Sequence, residues 1–114
     1  MWDTRERREY ARAKIPIRVK IFKGEGDYIL TYSEDISLGG VRVVLDEEID
    51  RQEVNLELNA EGRIVVCKGL VAWISEMEKS VSNAPSRYDI GIKFLQLEAA
   101  DRERIRDIVR QYFK

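Results

Sequence analysis

The sequence predicts a mainly β protein, in which six or so short antiparallel strands close, or nearly close, into a barrel followed by one C-terminal α-helix. Three observations carry that expectation. From Ile15 to Phe94 the apolar residues alternate with polar ones in short runs, the period of a strand with one buried face. The runs are spaced almost regularly and are separated by turns that carry glycine. Beyond Glu98 the apolar period lengthens to that of a helix. Closing the sheet removes the edges that an open sheet would expose.

Residues 1–14 are dense in charge and have no apolar face on which to fold, so they read as a flexible arm ahead of a domain spanning 15–114. The first strand runs through Ile15–Phe22, with Ile17, Val19 and Ile21 on one face and Pro16 suited to a strand start. Gly24-Glu25-Gly26-Asp27 makes a hairpin turn into a second strand, Tyr28–Tyr32. Asp35-Ile36-Ser37-Leu38-Gly39-Gly40 then reads as a turn, and Val41–Leu45 as the third strand. Asp46–Arg51 is expected to be a solvated acidic loop, and Val54, Leu56 and Leu58 mark the fourth strand. The long apolar stretch from Ile64 to Ile74 carries Gly69 in its middle, where a bend or bulge is expected. After an exposed loop ending near Pro85, Tyr88–Phe94 forms the last strand. Ile105, Ile108, Val109 and Tyr112 recur at helical spacing, which predicts a helix over about 98–113 docked on the sheet by that stripe.

Composition narrows the function. The chain has 114 residues, 44% hydrophobic and 36% charged, with a net charge of -1. That describes a globular chain without the basic field that draws a protein to nucleic acid polymers. No apolar run reaches the ~20 residues of a membrane span, and the opening Met-Trp-Asp-Thr-Arg-Glu lacks the form of a signal peptide, so a cytoplasmic location without membrane insertion is expected. The single cysteine, Cys67, excludes an internal disulfide and reads as a packed strand residue. Histidine is absent, and with it the commonest general base and neutral metal ligand. The chain reads as a binder without catalytic residues, metal or cofactor.

Two stretches carry binding chemistry. Arg8 and Arg12, four apart, share a face whether the arm is helical or extended, and Arg7 adjoins them. Planar guanidinium forks suit phosphate oxygens and guanine edges. In Asp35–Gly40, a carboxylate and the Ser37 hydroxyl stand beside Gly39 and Gly40, which permit positive φ and close approach to the backbone. On their own the arm also fits a solubilising tail and the turn an ordinary connection.

Together these stretches resemble the PilZ domain family, the bacterial receptors for cyclic di-GMP. Arg8-Glu9-Tyr10-Ala11-Arg12 matches the family's RxxxR signature, and Asp35-Ile36-Ser37-Leu38-Gly39-Gly40 matches its [D/N]xSxxG signature. Gly69-Leu70-Val71-Ala72-Trp73 and Gly91-Ile92-Lys93-Phe94 also resemble family strand motifs. The resemblance implies a six-stranded antiparallel barrel with a C-terminal helix and a nucleotide ligand, cyclic di-GMP. By it, Arg8 and Arg12 would grip phosphate and guanine edges, and Asp35 would accept from guanine N–H groups. Ser37 and the backbone of Gly39 and Gly40 would complete the surface. An arginine just before RxxxR, here Arg7, is associated in the family with two stacked ligands per chain. The ordered arm would then present a surface to an unidentified downstream protein. Family members that act as protein-interaction modules without nucleotide are the alternative, although such members typically lack these motifs. Trp73 could stack on a base, but a tryptophan in a strand more often packs in the core.

Overall fold

The computed structural model of the chain describes residues 16–24, 26–79 and 81–112. Six strands and one helix follow in order: β1 (Arg18–Gly24), β2 (Asp27–Ile36), β3 (Gly40–Leu45), β4 (Glu53–Ala60), β5 (Arg63–Glu76), β6 (Tyr88–Leu95) and α1 (Ala99–Tyr112). The strands close into an antiparallel barrel in the order β1-β2-β3-β6-β5-β4. The expected architecture is therefore the observed one.

Alternation decides what fills the barrel. Val19 and Ile21 of β1, Val41 and Val43 of β3, Leu56 and Leu58 of β4, and Ile90 and Ile92 of β6 are all buried in its interior. Ile105, Ile108 and Val109 bring one side of α1 into the same core, as the helical stripe predicts; the side chain of Tyr112 lies outside the described ones.

Three local expectations are corrected. Asp35 and Ile36 are not turn residues: β2 runs through both, and Asp35 pairs with Arg42 of β3. Gly69 is not a bend: it is buried, and the register of β5 against β6 breaks further on, between Val71 and Trp73. A Cβ at Gly69 would stand 2.6 Å from Ile92 Cγ2 and 2.9 Å from Leu56 Cδ1, so the residue is glycine because facing strands need its space. The acidic loop is not wholly solvated either, because Ile49 turns inward and joins the core.

Cys67 is half-buried on β5, and burial, helped by the charge of Asp101 on α1, pushes its thiol up to about 11. The reactive thiolate is thus scarce at neutral pH, and slow alkylation is expected until the chain unfolds. The same shift fixes a pH dependence. The folded state keeps the proton that the unfolded chain releases near 9, so the stabilisation is complete below that pH and is lost as pH rises to about 11. The melting-temperature advantage of the native protein over Cys67→Ala should shrink across that window. A constant difference from pH 8 to 11 would contradict it.

Candidate functional site

The site grows from two irregularities in the barrel. On β2, Ser33 pairs with Val43, yet Asp35 pairs with Arg42, so Glu34 is an extra residue in the ladder. On β5, Val71 pairs with Ile92, yet Trp73 pairs with Gly91, so Ala72 is extra there. A bulge shifts the alternation by one and re-aims the next side chain. Ser33 and Val71 lie on the interior side; Asp35 and Trp73, two residues on, pair with the outward positions Arg42 and Gly91. Strict alternation would have sent both inward. This is why Trp73 is not part of the buried core, contrary to the packing expectation.

The two bulged strands flank β3 and β6, which pair Arg42 with Gly91. Asp35, Arg42, Gly91 and Trp73 therefore form one row across the outside of four neighbouring strands, spanning three strand spacings, about 14 Å. The missing side chain at Gly91 seats the tryptophan: a Cβ there would lie 2.2 Å from Trp73 Nε1.

Beside Asp35 the chain reverses. Ser37 N–H donates to the Gly40 carbonyl at 2.9 Å, and the Ser37 hydroxyl oxygen accepts from Gly39 N–H at 3.1 Å, a side-chain clasp that holds the Leu38-Gly39 loop. Phe94 N–H donates to the Gly39 carbonyl at 3.0 Å and ties the loop to β6. Gly39 and Gly40 are not used for left-handed backbone. Among the described glycines positive φ falls at Gly26 (73°) and Gly62 (84°), in the other hairpin turns. Asp35 and Ser37 are both buried polar residues.

Arg42 and Asp89, which the sequence does not single out, complete the electrostatics. Arg42 Nε donates to Asp89 Oδ1 at 2.7 Å, and its Nη1 lies 3.5 Å from Asp35 Oδ2. The Arg42 guanidinium is held above its ordinary pKa, first by the hydrogen bond to Asp89 and then by the charges of Asp89 and Asp35, against the opposing effect of burial. Alternation marks Arg42 as outward, between the interior Val41 and Val43. Its pairing with a carboxylate 47 residues away leaves no local trace.

Arg7, Arg8 and Arg12 lie outside the described residues. The described chain begins against the end of β2 that carries Asp35. Ser33 N–H donates to the Ile17 carbonyl at 2.9 Å, and Ile17 N–H donates to Ser33 Oγ at 3.1 Å. β1 is antiparallel to β2, so Ile17 lies two residues from Asp35 along the facing strand. Arg12 is five residues upstream of Ile17 in the sequence. Among the described residues no group of three or more His, Cys, Asp or Glu could hold a metal ion. No described helix is long and apolar enough to cross a membrane.

The PilZ domain model matches residues 6–111. Among solved structures, the PilZ domain of YcgR from Escherichia coli with c-di-GMP is 17% identical with a TM-score of 0.74, over 93% of this chain and 91% of that one. Apo MrkH of K. pneumonia is 19% identical with a TM-score of 0.75, over 98% of this chain and 51% of that one. The Bacillus subtilis inhibitor of motility, MotI/DgrA, is 20% identical with a TM-score of 0.71, over 92% of this chain and 50% of that one. The chain thus spans about half the length of the last two and nearly all of the first. No curated protein matches it significantly.

Proposed function

We propose that this chain, which belongs to the PilZ domain family, is a receptor for cyclic di-GMP that acts without catalysis. The observation that carries the reading is the pair of bulges that turn Asp35 and Trp73 outward onto one row. A carboxylate suits the edge of guanine, whose N1–H and N2–H groups donate side by side, and the indole at the far end of the row offers a face on which a base can stack. Adenine offers an acceptor at the matching edge and would meet the carboxylate acceptor to acceptor. Ser37, whose hydroxyl accepts from Gly39, still has a proton to donate to a phosphate oxygen. Support also comes from fold relatives whose structures hold c-di-GMP, the YcgR domain and a MrkH complex.

In this proposal Arg7, Arg8 and Arg12 close over the ligand from the end of β2 that carries Asp35, and Gly39 and Gly40 offer backbone to it. Ordering an arm costs about 1–2 kcal/mol per residue, so ligand contacts must supply what closure consumes. The ordered arm is the output, a surface for a downstream protein in the cytoplasm. The alternative, an interaction module that ignores nucleotide, has no need for an outward carboxylate and indole on one row.

Calorimetric titration of the purified chain tests this. Cyclic di-GMP should bind at least tenfold more tightly than cyclic di-AMP, the margin that mismatched buried polar groups impose, and than GTP, which offers one guanine and no cyclic diester. Equal affinity for all three, or none, overturns the reading. The same titration reads stoichiometry. A third guanidinium can stack on a guanine and offset the charge of a second ligand. We therefore expect two cyclic di-GMP molecules per chain, and one, or weaker binding, for Arg7→Leu. One ligand in both proteins would remove the role of Arg7 alone.

A further inference from the structure

We propose that Arg42, anchored by Asp89, is the positioning residue for the Asp35 carboxylate, so that the Asp35–Arg42–Asp89 chain sets the preference for guanine over adenine; this rests on the receptor reading above.

The contact with Arg42 bears on how the Asp35 carboxylate is oriented. The terminal torsion of an aspartate is broad, so its rotamer does not fix the carboxylate plane. Bidentate acceptance from guanine requires that plane to face two parallel donors. The contact of Arg42 Nη1 with Asp35 Oδ2, at 3.5 Å, restrains one oxygen without exhausting the carboxylate, which can accept about four hydrogen bonds. Arg42 can restrain Asp35 only if it is restrained itself. Its long side chain has several rotatable bonds, and the 2.7 Å bond from Nε to Asp89 removes much of that freedom. The asymmetry of the two distances assigns the roles: Asp89 anchors, and Arg42 steers. The Asp35 side chain is 8% exposed, against 33% for Arg42 and 22% for Asp89, so the orientation is set where water competes least. Charge points the same way at Asp89 and Asp35, because the Arg42 guanidinium lies against both carboxylates and offsets part of their negative charge.

The test is a set of titrations with cyclic di-GMP and with cyclic di-AMP, on the native chain, Arg42→Met, Arg42→Lys, Asp89→Asn, Asp35→Ala and the Asp35→Ala/Arg42→Met double variant, with melting temperatures alongside. Arg42→Met and Asp89→Asn should each lose about tenfold of the preference for cyclic di-GMP over cyclic di-AMP, the worth of one charge-assisted bond. Lysine restores the charge but not the fork, so Arg42→Lys should recover melting temperature without recovering the preference. In the Asp35→Ala background Arg42→Met should change cyclic di-GMP affinity by less than about twofold, because a residue that acts through another has no effect once that other is gone. Should Arg42→Met fail to fold, Asp89→Asn, which keeps the side-chain shape but removes the charge that holds Arg42, decides the matter by the same ratio. Equal losses for both nucleotides, or additive losses in the double variant, overturn the inference while the receptor reading stands. A native chain that does not bind cyclic di-GMP overturns both.

Discussion

Arg8→Ala and Arg12→Ala are each expected to weaken cyclic di-GMP binding by roughly ten- to a hundredfold while leaving the ligand-free melting temperature nearly unchanged. The loss of one charge-assisted, bidentate contact is worth about 1.5–3 kcal/mol, which sets the size of the effect. The second half of the prediction follows from the core. Among the described residues the buried core runs from Ile17 to Val109, and it already includes side chains from all six strands and the helix. The check is calorimetric titration paired with thermal denaturation of the same samples. Unchanged affinity in both variants would remove the arm from the binding site. A collapsed melting temperature would instead make the arm part of the fold.

The largest stability effect is expected at Gly69. Valine there would force its Cβ into Ile92 and Leu56, fully buried side chains of β6 and β4. Overpacking of this kind costs about 1–3 kcal/mol, and a domain of this size should lose roughly 4–8 °C of melting temperature for each kcal/mol. Gly24→Ala is the control, because a Cβ at Gly24 meets nothing within 4 Å and its φ is ordinary. Equal melting temperatures for Gly69→Val and Gly24→Ala would show that the barrel interior is looser than the geometry describes.

The division between what was legible in the sequence and what was not follows from the range of each interaction. Alternation is local, so Ile17, Val19, Ile21, Leu56 and Leu58 declare their interior positions, and the stripe Ile105-Ile108-Val109 declares the docked side of α1. The turn chemistry of Ser37 is equally local, spanning two residues. A bulge is not local, because it exists only relative to the strand opposite. Hence Trp73, which alternation through Val65 and Val71 would place inside, is outside, and Asp35 belongs to a strand instead of a turn. Gly69 was legible as special but not in its reason, which lies on two other strands. Arg42 and Asp89 were invisible as a pair because 47 residues separate them and only the β3–β6 register brings them together. Ile49 was hidden by its setting, one apolar residue among Asp46, Glu47, Glu48 and Asp50.

In the proposal above, cyclic di-GMP binds on the outward row from Asp35 to Trp73, with the Ser37–Gly40 loop beside it. Amide and indole NMR spectra recorded during a titration with that nucleotide test this most directly. Saturable shifts are expected at the amides of Ser37, Gly39, Gly40 and Gly91 and at the Trp73 indole Nε1–H. The amides of β1 and β4 around Lys20 and Glu57, on strands outside the row, should stay still. Saturable shifts centred on β1 and β4 with the Trp73 indole unmoved, or no shifts at all, would contradict it.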